Sequence, residues 1–348
     1  VADGSLAIVT GYPGWLGNRL VRFMHEPHPD YPGEQPRYDR IRALVLPGQG
    51  LDGAGRDDVE VVEGDIRDPA ALERLFAGAD GATVFHLAGL IHPRRVRELF
   101  EVNVEGTRNL LAAARSAGVR RLVATSSNSP AGAVRDPSVV FDEASPPRPY
   151  LGYGRSKKEM EDDLKAANAS GDIETVVIRP CWFYGPGQPP RQTEFFRMIK
   201  QGKAPIVGSG EARRSMSYVD STSLGLLLAA ASHRAAGRTY WIADERPYSM
   251  NEIVGTVEDV LEKNFGMEVD HGRMKLPSVA SEVALAVDTV IQKTGLYNQK
   301  IHVLSEMNKT IACSVERARE ELGYRPTVEL REGMRRSIQW CLDHGQQI

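Results

Sequence analysis

Up to about residue 180 the chain alternates short β-branched apolar runs with stretches of helical hydrophobic spacing. Leu6-Ala7-Ile8-Val9-Thr10 is the first run, followed by glycines and then by residues 15–25 at helical period. Similar runs at 41–46, 59–62, 83–87, 121–125 and 175–178 predict five further strands. Helices are predicted near 69–76, 94–117 and 153–169. Strands alternating with helices imply a parallel sheet covered on both faces. Right-handed crossovers then give an α/β, Rossmann-type doubly wound sheet, with its ligand crevice at the carboxyl ends of the strands.

The alternation fades at Gly185-Pro186-Gly187-Gln188-Pro189-Pro190, a loop composition, and a more mixed pattern follows. Residues 1–180 are therefore expected to form a dinucleotide-binding domain. Residues 181–348 are expected to form mainly a substrate-binding lobe, with segments such as 237–242 returning to the sheet. Residues 26–40 carry four prolines and several charges and are expected to be a long surface loop. His25 and His28 lie beside it, but no carboxylate or cysteine cluster accompanies them, so no metal is expected. The apolar stretch 279–291 is interrupted by Ser281, Glu282 and Asp288 and is too short to cross a bilayer. It is expected to be an amphipathic helix packed against its own protein.

Composition narrows the class. A net charge of -3 over 348 residues gives no nucleic-acid footprint. The three cysteines, Cys181, Cys313 and Cys341, are far apart and form no CxxC pair. That excludes a disulfide framework or zinc site by spacing and fits a reducing cytoplasm. Nothing in the first ten residues has the layout of a signal peptide.

The glycines after the first strand give the first chemistry. Gly11-Tyr12-Pro13-Gly14-Trp15-Leu16-Gly17 has GxxGxxG spacing and opens the first helix. Gly11 would make the tight turn, Gly14 would let backbone approach a pyrophosphate at the helix N-terminus, and Gly17 would allow close packing. Gly11, Gly14, Trp15, Leu16 and Gly17 are therefore expected to cradle NAD or NADP. The second strand ends Leu46-Pro47-Gly48, which carries neither the acid that selects NAD nor the Arg that selects NADP. The lack of a basic residue there leans towards NAD, with Arg42 held open as a 2′-phosphate ligand. After the third strand, Asp65 is expected to accept from the adenine amino group with Ile66 against the ring, while Asp68 caps the helix that Pro69 begins. His86-Leu87-Ala88-Gly89 ends the fourth strand; Leu87 and Ala88 would lie along the cofactor, and His86 is structural.

Tyr153-Gly154-Arg155-Ser156-Lys157 puts a phenol and an ammonium at i and i+4, on one helix face. An ammonium favours phenolate, so Tyr153 can exchange a proton with a substrate hydroxyl while hydride moves at the nicotinamide. Thr125-Ser126-Ser127 ends the fifth strand, where a hydroxyl would orient the substrate oxygen. Ser127, Tyr153 and Lys157 are the candidate catalytic set.

Taken with Asn103-Val104-Glu105-Gly106-Thr107 and Arg179-Pro180…Tyr184-Gly185-Pro186, these motifs occur in the order of one family. The chain resembles the extended short-chain dehydrogenase/reductase family, also called the NAD-dependent epimerase/dehydratase family. The resemblance implies that Tyr153 is the acid/base, that Lys157 lowers its pKa and holds the nicotinamide ribose, and that Ser127 orients the substrate. It also implies that Asn103 lies beside the cofactor, that Pro180 passes near the carboxamide, and that two copies dimerise through helices near 94–117 and 153–169. Family 4,6-dehydratases carry Thr-Asp-Glu where this chain has Ser127-Asn128-Ser129, so water elimination is disfavoured. Trp182 stands where many sugar-nucleotide enzymes carry Asn and suits an apolar substrate. Arg214, beside Arg213, holds the spacing of a phosphate-binding Arg. Asn128, Trp182 and Arg214 are thus candidate substrate contacts. Three functions follow for comparison: a dehydrogenase or ketone reductase with exchanging cofactor, similar to the 3β-hydroxysteroid dehydrogenase branch; a nucleotide-sugar epimerase with captive NAD; and a non-catalytic NAD(P)-binding scaffold on the same fold.

Overall fold

The structure is a computed structural model and describes residues 5–50 and 58–348. The reading of the extreme N-terminus therefore lies partly outside the described residues. The first half folds as strand–helix units: β1 (Leu6–Thr10), α1 (Trp15–His25), β2 (Arg40–Val45), β3 (Val59–Glu63), α2 (Pro69–Leu75) and β4 (Thr83–His86). Then come α3 (Val96–Phe100), a π-helical turn (Glu101–Glu105), α4 (Gly106–Ser116), β5 (Arg121–Thr125), α5 (Leu151–Ala169) and β6 (Glu174–Pro180). The inner strands β1, β2, β4, β5 and β6 are buried on both faces, which is why their sequences run apolar without strict alternation, whereas the edge strand β3 is largely exposed.

The second half adds β7 (Trp182–Tyr184), α6 (Pro190–Lys200), β8 (Pro205–Val207), β9 (Arg213–Arg214), β10 (Met216–Tyr218) and α7 (Val219–Ala231). It continues with β11 (Thr239–Ile242), β12 (Tyr248–Ser249), α8 (Met250–Phe265), β13 (Met274–Leu276), α9 (Val279–Lys293), α10 (Gln299–Glu306), α11 (Glu316–Leu322) and α12 (Leu330–Asp343). Seven strands form one parallel sheet in the order β11-β6-β5-β4-β1-β2-β3. The order reverses at β1, so the crevice lies between the loops that follow β1 and β4.

One face of the sheet packs on α1 and α7 through Leu20, Phe23, Leu227 and Trp241. The other packs on α2, α4 and α5 through Leu72, Leu110, Met160 and Leu164. A separate core, with Phe196, Ile199, Val257, Leu261 and Ile338, joins α6, α8 and α12 into a second lobe. Asp68 caps α2 with a bond from Ala70 N, and Pro69 sits at its first turn.

Three expectations are corrected here. The helix expected near 94–117 runs continuously from 96 to 116 but is not α-helical throughout, since a π turn occupies 101–105. The loop at 26–40 is not wholly at the surface: His28 is buried against the Phe23 ring at 4.6 Å, and Gln35 donates to the carbonyls of Phe23 and Glu26. Arg42 does not face the cofactor crevice; it is buried and donates to the carbonyls of Leu75 and Ala77, closing the C-terminal end of α2.

Candidate active site

The glycine loop is shaped by close approach. Gly11 has φ +87°, and a Cβ there would lie 2.7 Å from Ala88 N and 2.8 Å from Leu87 C. Gly14 and Gly17 each back onto Gly11 O, where a Cβ would sit at 2.7 and 2.6 Å. A side chain at Gly11 would push the loops after β1 and β4 apart, and one at Gly14 or Gly17 would distort the glycine loop itself. Gly14 caps α1 without a side-chain hydrogen bond, and no acid stands in the first turn. The N-terminal amides of α1, at Trp15 and Leu16, are therefore uncovered by any cap and suit an anion. The Trp15 side chain turns away from them: its indole donates to Pro186 O at 2.7 Å and joins the glycine loop to the loop after β7.

At the tip of β3, Asp65 is bound by Arg67, whose guanidinium and backbone N–H both donate to it. That pairing holds its carboxyl below the usual carboxylate range. Ile66 is buried, and its side chain fills the space above Gly106. His86 bridges Thr10 and Thr107 at 2.8 and 2.9 Å, tying β1, β4 and α4 together. Full burial holds its imidazole down to about 3, neutral across the working range.

The π turn has a visible use. It aims Asn103 so that Oδ1 accepts from Leu90 N at 2.8 Å, while Nδ2 donates to Leu90 O and to Ser156 Oγ. π turns recur where a helix must re-aim a side chain. Asn103 thus pins the loop after β4 to α5. Gly89 completes the contact, since a Cβ there would meet Lys157 Nζ at 3.0 Å.

Ser127, Tyr153 and Lys157 converge at the end of β5. The Tyr153 phenol is buried; burial pushes its pKa up to about 12, and a hydrogen bond from Ser127 works against that. Lys157 donates to Thr125 O at 3.1 Å. Burial pushes its ammonium down to about 8, opposed by the nearby Glu161 carboxylate. Asn128 and Ser129 flank Ser127 with short side chains, so no acid stands beside the hydroxyl.

Two groups here escaped the sequence reading. Glu161 is fully buried and receives Arg179 through two bonds of 2.8 and 2.6 Å and Ser126 Oγ at 2.6 Å. The signal was present: Tyr153, Lys157 and Glu161 recur every four residues on one face of α5. The second is the roof. Gln292 of α9 accepts from Gly152 N at 2.9 Å, and the Tyr150 hydroxyl meets Ser305 Oγ of α10 at 2.8 Å. Leu151 between them has φ +50°, a conformation that persists because its neighbours are held on both sides.

Of the substrate candidates, Arg214 turns inward and donates to Glu306 O at 2.6 Å, with its Nε buried and unpaired among the described residues. Trp182 faces Phe195 of the second lobe at 5.3 Å between ring centres. Pro180 ends β6, and Cys181 lies 3.6 Å from Cys313 between sulfurs, both as free thiols.

The lysine gives a stability prediction. Its ordinary pKa is 10.5, so between pH 8 and 10.5 the unfolded chain holds the proton and the folded chain does not. Stability rises with pH across that window, and the full burial penalty stands below pH 8. Lys157→Met is therefore expected to melt higher than the parent at pH 7, with the difference shrinking towards pH 10. Thermal unfolding at the two pH values measures this; an equal difference at both would place the ammonium in a solvated site.

A parallel sheet with a glycine-built crevice and a tyrosine–lysine pair beside it defines a dinucleotide-dependent enzyme of the α/β class. Residues 7–243 match the NAD dependent epimerase/dehydratase family, and the chain belongs to that family. It is 48% identical over 345 residues to the uncharacterized protein y4nL of Sinorhizobium fredii (strain NBRC 101917 / NGR234), covering 99% of this chain and 97% of that one. It is 28% identical over 371 residues to the 3beta-hydroxysteroid-dehydrogenase/decarboxylase isoform 2 of Arabidopsis thaliana, covering 95% of this chain and 61% of that longer protein. Among solved structures, the dTDP-glucose 4,6-dehydratase DesIV of Streptomyces venezuelae, with NAD bound, superposes with a TM-score of 0.73 at 26% identity, covering 97% of each chain.

Proposed function

We propose that the protein is an NAD(P)-dependent oxidoreductase that transfers hydride at a secondary alcohol or ketone carbon of a small, largely apolar molecule, with a cofactor that exchanges each cycle. The observation that carries this reading is the convergence of Ser127, Tyr153 and Lys157 with no acid at Asn128 or Ser129. The crevice fits the dinucleotide: Gly11, Gly14 and Gly17 leave room for backbone contact, and the uncapped amides of Trp15 and Leu16 suit its pyrophosphate. Asp65, Leu87, Ala88, Asn103 and Pro180 line the strand ends along its course. Bound there, the nicotinamide would supply or accept the hydride. Ser127 would hold the substrate oxygen, and Tyr153 would give or take its proton. Lys157, held by Thr125 O, would keep its charge near the phenol and bring it towards phenolate. The named hydroxysteroid dehydrogenase relative supports an apolar alcohol.

A second reading has its own observation. The buried, unpaired Nε of Arg214 favours an anionic substrate and hence a nucleotide-sugar epimerase with captive NAD. Denaturing the purified protein and resolving its nucleotides separates the two. An empty protein that binds NADH or NADPH reversibly is the expected result, and the tighter ligand identifies the cofactor. Stoichiometric NAD retained through purification would overturn the exchanging-cofactor reading in favour of the epimerase.

A further inference from the structure

Helix α9 is built inside out. Its buried positions are Ser281, Ala284, Asp288 and Gln292. Its valines face outward instead: Val279, Val283, Val287 and Val290 are 58, 56, 42 and 62% exposed. At helical spacing these four form one stripe opposite the buried polar positions. The expectation that the helix would pack its apolar side on the protein is therefore reversed. The inner face is satisfied by polar contacts: Asp288 receives Gln292 Nε2 at 3.0 Å and meets His302 at 2.7 Å, and Ser281 donates to Leu304 O. The stripe is continued by Leu296 and by Val303 of α10. Seven of the eleven exposed large hydrophobic side chains among the described residues fall between 274 and 303.

Cations rim this surface. Lys293 ends α9, Lys300 lies one turn before Val303 in α10, and Lys275 lies in β13 just before α9, all exposed; Arg94 and Arg95 are exposed beside Leu296, which bridges to Arg95. None of the five forms an ion pair with a carboxylate among the described residues, although the chain as a whole carries a charge of -3. The acids of this segment are engaged elsewhere: Asp288 is buried with His302, and Glu282 is held by Arg135 and Lys309. An apolar helix face with free cations at its margins has the chemistry of a helix that lies in a bilayer interface. An apolar patch with a neutral or mixed rim would suit a second copy of the chain better. No helix among the described residues is long and apolar enough to cross a membrane.

We propose that α9 and α10 form a docking surface for an anionic phospholipid bilayer, the valine stripe entering the headgroup boundary and the five cations meeting lipid phosphates. The surface is the outer side of the roof that holds Gly152 and Tyr150, so docking would put the catalytic helix within one helix thickness of the lipid. Docking of this face is independent of the proposed chemistry and is read without turnover.

The test is flotation of the full chain with vesicles of phosphatidylcholine containing one-quarter phosphatidylglycerol, against phosphatidylcholine alone. The expected result is binding to the anionic vesicles, at least tenfold weaker in Val283→Asp/Val287→Asp, and reduced about tenfold by Lys293→Glu/Lys300→Glu or by molar salt. Unchanged melting temperatures would show that both variants fold. Parent protein that does not float, or that floats equally in all variants, overturns the proposal. A parent that fails to float but is a dimer by light scattering, and becomes monomeric in Val283→Asp/Val287→Asp, would assign the face to a second copy and likewise overturn it.

Discussion

Tyr153→Phe is expected to lower kcat by about a thousandfold while leaving cofactor affinity within about twofold, since positioned acid/base groups contribute roughly 10²–10⁴. The phenol is buried at the end of β5, and burial pushes its pKa up to about 12, opposed by the hydrogen bond with Ser127. A group so placed is costly to ionise alone, so its chemistry depends on the cations brought beside it. Removing the hydroxyl removes one atom from a packed site and leaves the ring in place with Val96 and Leu99. Steady-state kinetics with the substrate found, together with a cofactor titration followed by fluorescence, checks both halves. Turnover within tenfold of the parent would remove Tyr153 from the mechanism; loss of cofactor affinity would make it a binding residue.

The largest stability effect is expected at Glu161. Glu161→Ala should cost about 3–5 kcal/mol, because it strands the Arg179 guanidinium in a buried site after loss of a two-bond ion pair. Arg179 also lies over the Trp241 ring at 5.4 Å, so it is not free to swing to solvent. Replacing both partners by apolar residues, Glu161→Leu with Arg179→Met, should recover most of the loss. Urea denaturation of the parent and the two variants measures this, and a single variant as stable as the parent would show that water reaches the pair. A functional consequence accompanies it. Glu161 is the carboxylate that opposes the fall in the Lys157 pKa, so without it the ammonium, already near 8, deprotonates at lower pH. The alkaline limb of the pH–rate profile should move to lower pH in the double variant.

The sheet was legible because its inner strands are buried on both faces and most of its helices on one, which leaves distinct periods in the sequence. The glycine loop and the Tyr153–Lys157 pair were legible because each depends on a fixed local spacing. What escaped depended on long-range contact. Arg42 sits on a strand that points towards the crevice, yet two carbonyls at the end of α2 claim it. The period of α9 was visible, but its orientation was not: a hydrophobic stripe announces a helix face without saying which side the protein covers. Long-range contacts fix that side: Gln292 reaches Gly152 more than a hundred residues away, and Ser281 and Asp288 bond to α10.

The bond between the Trp15 indole and Pro186 O has a kinetic meaning. On the proposed course of the dinucleotide, it is a latch between the glycine loop on one side of the crevice and the loop after β7. A single half-exposed hydrogen bond is worth on the order of 1 kcal/mol, so the latch would stand open roughly one-sixth of the time. A fastener that weak slows escape by only a small factor. The residence time of the cofactor must then be governed by the pyrophosphate and ribose contacts, and release between turnovers meets no closed door.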